Sequence, residues 1–87
     1  MQVHVHPRVM ARHPEIAASD TVSAFEGTLR KAKRTDTYPP QWVGVGLDQK
    51  GRLLEYVAIE LGPDEWLLFH TMKATPKVLI ETGMRRR

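Results

Sequence analysis

The chain has 87 residues, of which 41% are hydrophobic and 26% charged, so we expect one small globular domain over residues 1–87 with a single core. No apolar run approaches the roughly 20 residues that cross a bilayer, and the first residues lack the apolar stretch of a secretory signal. We therefore expect a cytoplasmic protein without membrane contacts. The absence of cysteine excludes disulfides, thiolate metal ligands and cysteine nucleophiles, and the net charge of +3 does not by itself indicate a nucleic-acid partner.

The first part of the chain, residues 2–34, is predicted to form one strand and two helices. Alternating polarity over residues 2–6 is typical of a strand. Pro7 then suits the first turn of a short helix that extends to His13. The N-terminal strand is therefore a candidate addition to the sheet that later residues form.

A longer helix is predicted over residues 20–33, with Ser19 or Asp20 as its N-cap. Apolar residues recur there at spacings of three and four, which places them on one helix face: Val22, Phe25, Leu29 and Ala32. Gly27 weakens the middle of a helix by about 1 kcal/mol relative to alanine. We therefore expect this helix to depend on packing against a sheet.

Seven of the 13 basic residues fall in two clusters, whereas the acidic residues are scattered. One cluster lies at the end of the predicted long helix and the other in the tail: Arg30, Lys31, Lys33 and Arg34, and Arg85, Arg86 and Arg87. Such clusters are typical of a surface that binds a phosphate backbone or an acidic protein. A solvated helix end is the alternative, because cations near a helix C-terminus stabilise the helix without a ligand.

Residues 41–72 are predicted to form a meander of three antiparallel strands, over 42–47, 52–61 and 66–72. The strand over 52–61 has apolar residues on both faces and is expected to be central. A final helix over 75–83 would be capped by Thr75 and ended by Gly83, before a basic tail over 84–87. The sequence therefore predicts an α+β fold in which a small antiparallel sheet, with or without the N-terminal strand, packs against two or three helices.

Four polar residues are candidates for catalysis: His13, Arg52, His70 and Lys73. Neighbouring ends of two antiparallel strands would place Arg52 and His70 within about 10 Å of each other. An imidazole with nearby cations suits phosphodiester cleavage without a metal or cofactor. The alternative is purely structural, with Arg52 paired to Glu55 or Glu60 and His70 satisfied by a backbone carbonyl.

A metal site is the weaker interpretation of the histidines. His4 and His6 are two residues apart on a predicted strand and would point to the same side. Zinc needs further ligands, and only His13 and His70 remain among the histidines. We therefore expect no metal site.

Several segments of the chain, over roughly residues 12–81, match a known family in order and spacing. They are Arg12-His13-Pro14-Glu15-Ile16, Asp20-Thr21-Val22-Ser23-Ala24-Phe25, Val43-Gly44-Val45-Gly46, Gly51-Arg52-Leu53-Leu54, and Leu68-Phe69-His70-Thr71-Met72-Lys73-Ala74-Thr75. With these segments the sequence resembles the BrnT-type toxins of bacterial type II toxin–antitoxin systems, which are small RelE-like ribonucleases. His70 departs from the family, which has a small hydroxyl residue there, and the helix that follows Lys73 is less basic than in the family.

The resemblance implies helices on an antiparallel sheet, RNA cleavage linked to translation and neutralisation by a small antitoxin protein. The resulting hypothesis is a metal-independent endoribonuclease that forms a 2′,3′-cyclic phosphate. His13 or His70 would act as acid or base, Arg52 and Lys73 would stabilise the phosphate, and the cluster around residues 30–34 would bind RNA. The alternatives are a non-catalytic module that binds a protein or nucleic acid, with an exposed Trp66 as an anchor, and a structural subunit that forms a homodimer.

Overall fold

The computed structural model describes residues 1–86 and shows the predicted α+β class. A sheet of five strands and three helices make up the described part of the chain. In chain order the elements are β1 (Gln2–Val5), α1 (Arg8–Arg12), α2 (Ala18–Glu26), β2 (Thr28–Arg34), β3 (Gln41–Leu47), β4 (Leu53–Gly62), β5 (Glu65–Lys73) and α3 (Pro76–Glu81). No helix in the described part of the chain is long and apolar enough to span a membrane.

The sheet is larger than the sequence predicted, and it is mixed. Its strand order is β1-β5-β4-β3-β2. Strand β1 pairs with β5 in parallel, and all other neighbours are antiparallel. The N-terminal strand therefore does join the sheet, and β4 is the central strand, as its two apolar faces indicated.

The predicted helix over residues 20–33 is wrong in its second half. Helix α2 begins earlier, at Ala18, and ends at Glu26. Residues Thr28–Arg34 instead form the edge strand β2, which pairs with β3. Leu29, which matched the helical spacing, sits at an irregularity of this pairing and is 50% exposed. Tertiary pairing overrides the apparent helical periodicity here, because β3 offers a row of backbone hydrogen-bond partners.

The helix start also differs from the prediction, since neither Ser19 nor Asp20 is the N-cap. Ala17 takes that position, and Asp20 Oδ2 accepts a hydrogen bond from the Ala17 N–H at 3.0 Å. Asp20 is therefore at the third helical position, where an acidic side chain that reaches back also satisfies the helix N-terminus.

The two faces of the sheet carry different helices. The face covered by α2, here the α2 face, presents Leu54, Tyr56 and Ala58 of β4. The opposite face, here the α3 face, presents Val57 together with Val43, Val45 and Val78 of α3. Because side chains alternate along a strand, the face of each β4 residue fixes the face of its cross-strand partner.

The valine cluster on the α3 face gives a test of the packing. We expect Val57→Ala to lower the free energy of unfolding by about 1–3 kcal/mol, because Val57 is 5% exposed and truncation leaves a cavity. Leu29→Ala is the control, since the exposed Leu29 should change stability by less than about 0.5 kcal/mol. Chemical denaturation measures both, and equal effects would contradict the packing described.

The C-terminal helix follows the prediction closely. Val78 N–H donates to Thr75 Oγ1 at 3.4 Å, and Pro76 occupies the first helical turn. Gly83 has a φ of 80°, and the Met84 N–H donates a hydrogen bond to the Leu79 carbonyl at 2.9 Å. This is the left-handed helix end that glycine favours. Arg87 of the predicted basic tail lies outside the described residues.

Candidate active site

A cavity of about 380 Å³ lies where the loop between α1 and α2 meets the start of β4 and the end of β5. Its lining combines an apolar floor with three charged residues: Ile16, Leu53, Leu54 and Ala74, and Glu15, Arg52 and Lys73. Leu54 pairs with Lys73 across the two strands, which explains why the start of β4 and the end of β5 share one cavity. The structure therefore brings the predicted Arg52 and Lys73 together.

His13 lies beside this cavity through its contact with Glu15. His13 is the C-cap of α1, and its N–H donates to the Val9 carbonyl at 2.9 Å. Its Nδ1 is 3.7 Å from Glu15 Oε2, and the imidazole is 29% exposed. Three of the four predicted catalytic residues thus lie at or next to one cavity.

The guanidinium of Arg52 links three separate segments. Nε donates to Asp48 Oδ2 at 2.7 Å, Nη1 to the Glu15 carbonyl at 3.0 Å and Nη2 to Asp20 Oδ2 at 3.0 Å. The predicted partners Glu55 and Glu60 are therefore not the ones used. A guanidinium has five N–H donors, so these bonds fix the plane of Arg52 beside the cavity and leave two N–H groups for a ligand.

Asp48 is held as a carboxylate by this arrangement. Burial raises the pKa of Asp48, but hydrogen bonds from the backbone and side chain of Arg52 and from the Lys50 N–H outweigh burial and bring the pKa below its ordinary value. Since the folded pKa is depressed, the stabilisation is present above the unfolded pKa and is lost as the pH falls through the folded pKa.

The depressed pKa predicts a loss of stability in acid. We expect the free energy of unfolding to fall as the pH decreases from about 5 towards 2, and Asp48→Asn to make this pH dependence shallower. Glu60→Gln removes an exposed carboxylate from β4 and serves as the control. Denaturation at a series of pH values measures the slopes. Equal slopes for Asp48→Asn and the wild type would contradict a stabilised Asp48 carboxylate.

His70 lies on the other side of the sheet from the cavity. It pairs with Val57 on the α3 face, and its Nε2 is 2.8 Å from Glu55 Oε2. Glu55 is only 4% exposed, and its Oε1 accepts hydrogen bonds from the N–H and Oγ1 of Thr75 at 2.8 and 2.6 Å. The hydrogen-bond partner of His70 is therefore a carboxylate and not the backbone carbonyl that the structural alternative predicted. Glu55 also holds Thr75 at the start of α3.

The predicted proximity of Arg52 and His70 is wrong. Because His70 is opposite Val57, it lies five residues along β4 from Arg52. Five residues of a strand span roughly 16 Å, and the two side chains also belong to opposite faces. The strand ends do adjoin, but the register places Lys73 rather than His70 at the cavity.

The basic cluster of residues 30–34 is on β2 and is divided between the two faces. Arg30 and Arg34 belong to the α3 face, where Arg34 makes a two-point contact with Glu81 at 2.7 and 2.8 Å. Lys31 and Lys33 belong to the α2 face and lie over Trp42. The cluster is therefore not one continuous basic helix surface, because strand alternation replaces the expected helical periodicity.

The structure also changes the expectation for Trp66. Trp66 is half-buried, with its ring centroid 5.6 Å from that of Phe25, so it is a packed residue rather than an exposed anchor.

The two histidines of the N-terminal segment each have a separate partner. His4 Nε2 lies 2.8 Å from Glu65 Oε2, and His6 Nδ1 accepts a hydrogen bond from the Arg8 N–H. Within residues 1–86, no three His, Asp or Glu side chains are grouped as a metal would need.

The ion pairs around the predicted residues were not identified from the sequence, and Glu55, which was expected to pair with Arg52, contacts His70 instead. Glu15, Asp20, Asp48 and Glu55 contact His13, Arg52 or His70 in the structure. Asp48 and Arg52 flank a short turn four residues apart, which is a local signal for an ion pair. Asp20 and Glu55 give no such signal, because their partners come from distant segments.

No family model, no curated protein and no solved structure is similar to the chain at a significant level.

Proposed function

We propose that this chain is a cytoplasmic, metal-independent endoribonuclease of the toxin class, neutralised by a partner antitoxin. The observation that carries this proposal is the grouping of Arg52 and Lys73 on one cavity with Glu15, which in turn contacts His13. Cleavage by the ribose 2′-hydroxyl uses a base, an acid and positive charge near the phosphate, and an imidazole, a carboxylate and two cations can supply these groups. The segments that resemble BrnT-type toxins include His13, Arg52 and Lys73.

The proposed reaction transfers two protons. The 2′-hydroxyl oxygen attacks the adjacent phosphorus and loses its proton to a base, while the bond between phosphorus and the 5′ oxygen breaks and that oxygen receives a proton from an acid. His13 and Glu15 supply these two groups. Lys73 is exposed at the cavity, and its ammonium stabilises the extra negative charge on the phosphate oxygens.

Arg52 has a positioning role in addition to its charge. Its hydrogen bonds connect the segment that carries Glu15 with Asp48 and Asp20, and they hold this wall of the cavity in place. Its remaining N–H groups can donate to a phosphate oxygen, and a planar guanidinium suits two-point recognition. His70 has no part in this mechanism, because Glu55 holds it on the opposite face.

The wild-type protein gives the test of this function. Purified protein is incubated with a long single-stranded RNA in EDTA, and the product ends are analysed. We expect fragments with 2′,3′-cyclic phosphate and 5′-hydroxyl ends, formed without a metal ion. Intact RNA, both alone and on translating ribosomes, would overturn the proposal.

A non-catalytic interaction module is the second candidate. The ion pairs of Arg52 with Asp20 and Asp48 favour it, since they neutralise much of the positive charge that a phosphate would meet. This function predicts that the protein binds RNA or a protein partner but leaves RNA intact. The same assay with a measurement of RNA binding separates the two candidates.

The homodimer hypothesis is the least supported by the geometry. In the described chain β2 is a sheet edge, so it could pair with a second copy. The strand is rich in lysine and arginine, and antiparallel pairing of two copies would bring like charges close together. The charges on β2 therefore disfavour self-pairing at this edge.

A further inference from the structure

A second concave surface lies on the α2 face, beside the C-terminal end of α2. Four of the six aromatic residues of the chain line its cavity of about 250 Å³: Phe25, Trp42, Tyr56 and Trp66. The other lining residues are Met1, Glu26, Thr28 and Lys31. The catalytic proposal uses none of these residues.

The aromatic rings are held in place by specific contacts. Phe25 packs against Tyr56 edge-on, with centroids 5.2 Å apart, and against Trp66 at 5.6 Å. The Tyr56 ring lies over Gly44, where a Cβ atom would come within 2.3 Å of it, and its hydroxyl is 2.8 Å from Thr28 Oγ1. The surface is therefore organised before any ligand binds, which lowers the entropy cost of binding.

Two lysines border this aromatic surface at Trp42. The Nζ atoms of Lys31 and Lys33 lie 5.0 and 5.6 Å from the Trp42 ring centroid. Both lysines are exposed, and within residues 1–86 neither has a carboxylate within salt-bridge distance. Lysines next to a tryptophan can be explained as a cation–π contact that also protects a sheet edge. Core packing around the buried Tyr56 accounts for Phe25 and Trp66, but it does not account for the cavity that these rings share with Trp42 and Lys31.

We infer that this aromatic surface binds an unpaired nucleobase of single-stranded RNA, stacked on Trp42, with the flanking phosphates on Lys31 and Lys33. Stacking on an aromatic side chain beside a basic strand is how sheet surfaces bind single-stranded nucleic acids. An acidic peptide would use the lysines but would leave the aromatic rings without planar partners. The choice of RNA rests on the proposed function, although the surface is separate from the cleavage cavity.

The test uses an RNA analogue that cannot be cleaved. A 2′-O-methyl octanucleotide with one 2-aminopurine base lacks the attacking hydroxyl, and its fluorescence decreases when the base stacks. We expect wild-type protein to quench it with saturation. Trp42→Leu should raise the Kd about 5- to 150-fold, which corresponds to the binding free energy of one base stacked on an aromatic ring. Circular dichroism checks that this variant is folded.

A matched pair of charge variants tests the lysines independently. Lys33→Gln and Arg30→Gln remove the same charge from the same strand, but Lys33 faces Trp42 and Arg30 belongs to the opposite face. Lys33→Gln should weaken binding and lower the slope of log Kd against log salt by about 0.7, whereas Arg30→Gln should leave both nearly unchanged. Equal effects of the two variants would overturn the inference.

Two further outcomes would also overturn it. A glutamate octapeptide that displaces the oligonucleotide at equal concentration would assign the surface to acidic proteins. A quenching signal that does not depend on Trp42 would place the base elsewhere. Neither outcome affects RNA cleavage, so the two proposals fail separately: intact RNA with Trp42-dependent binding overturns only the ribonuclease.

Discussion

Gly46→Ala is expected to destabilise the protein by about 4 kcal/mol or more, close to the whole stability of a small domain. A Cβ atom at this position would lie 1.9 Å from the Ala24 carbonyl oxygen and 2.9 Å from that of Gly27. These are backbone atoms of α2 and its C-terminus, so no side-chain rotation relieves the contact. The helix would have to move away from β3, which separates Ala24 from Ile16 and Leu54 in the core.

Gly62→Ala is the matched control for this variant. Nothing lies within 4 Å of a Cβ atom built at Gly62, so we expect a change of less than about 0.5 kcal/mol. Thermal and chemical denaturation measure both variants. A Gly46→Ala protein as stable as the Gly62→Ala protein would contradict the close packing of α2 on β3.

His13→Ala is expected to reduce RNA cleavage by about 10²- to 10⁴-fold, the usual contribution of one general acid or base. The imidazole is partly exposed and its contact with Glu15 is at the surface, so stability should change little. Single-turnover cleavage measures the rate, and thermal denaturation measures the stability.

A structural role for His13 predicts a different result. Loss of activity would then follow loss of folded protein, and the protein that remains folded would cleave RNA at the wild-type rate. Glu15→Gln offers a second test, since it removes the carboxylate that contacts His13 and keeps the shape of the side chain. We expect it to lower the cleavage rate.

Local patterns were enough to predict much of the fold. The alternating residues of β3, β4 and β5 and the Thr75-Pro76 and Gly83 signals of α3 gave correct elements, because strand polarity and helix ends are encoded within a few residues. The edge strand β2 was mistaken for helix, since Leu29 and Ala32 match a spacing of three by coincidence. Its conformation depends on pairing with β3, which no local pattern reveals.

The geometry of the candidate site does not follow from its residue types. Arg52 and Lys73 line one cavity, and His13 contacts Glu15 of that lining. His70 was assigned to the same group because strand ends adjoin, yet the pairing of Leu54 with Lys73 places it farther along β4 and on the other face. Strand register depends on turns and bulges, so its effect on side-chain position cannot be derived from residue types alone.

The proposed cleavage depends on His13 at the cavity and not on His70, which belongs to the opposite face of the sheet. His13→Ala and His70→Ala are assayed beside the wild type on the same RNA in EDTA, with rates normalised to folded protein. We predict that His13→Ala cleaves RNA about 100-fold more slowly than the wild type, or slower still. His70→Ala should cleave at a rate near that of the wild type. It should melt at a lower temperature, because Glu55 loses its hydrogen-bond partner. Loss of cleavage in His70→Ala with full activity in His13→Ala would instead assign the cleavage to the α3 face.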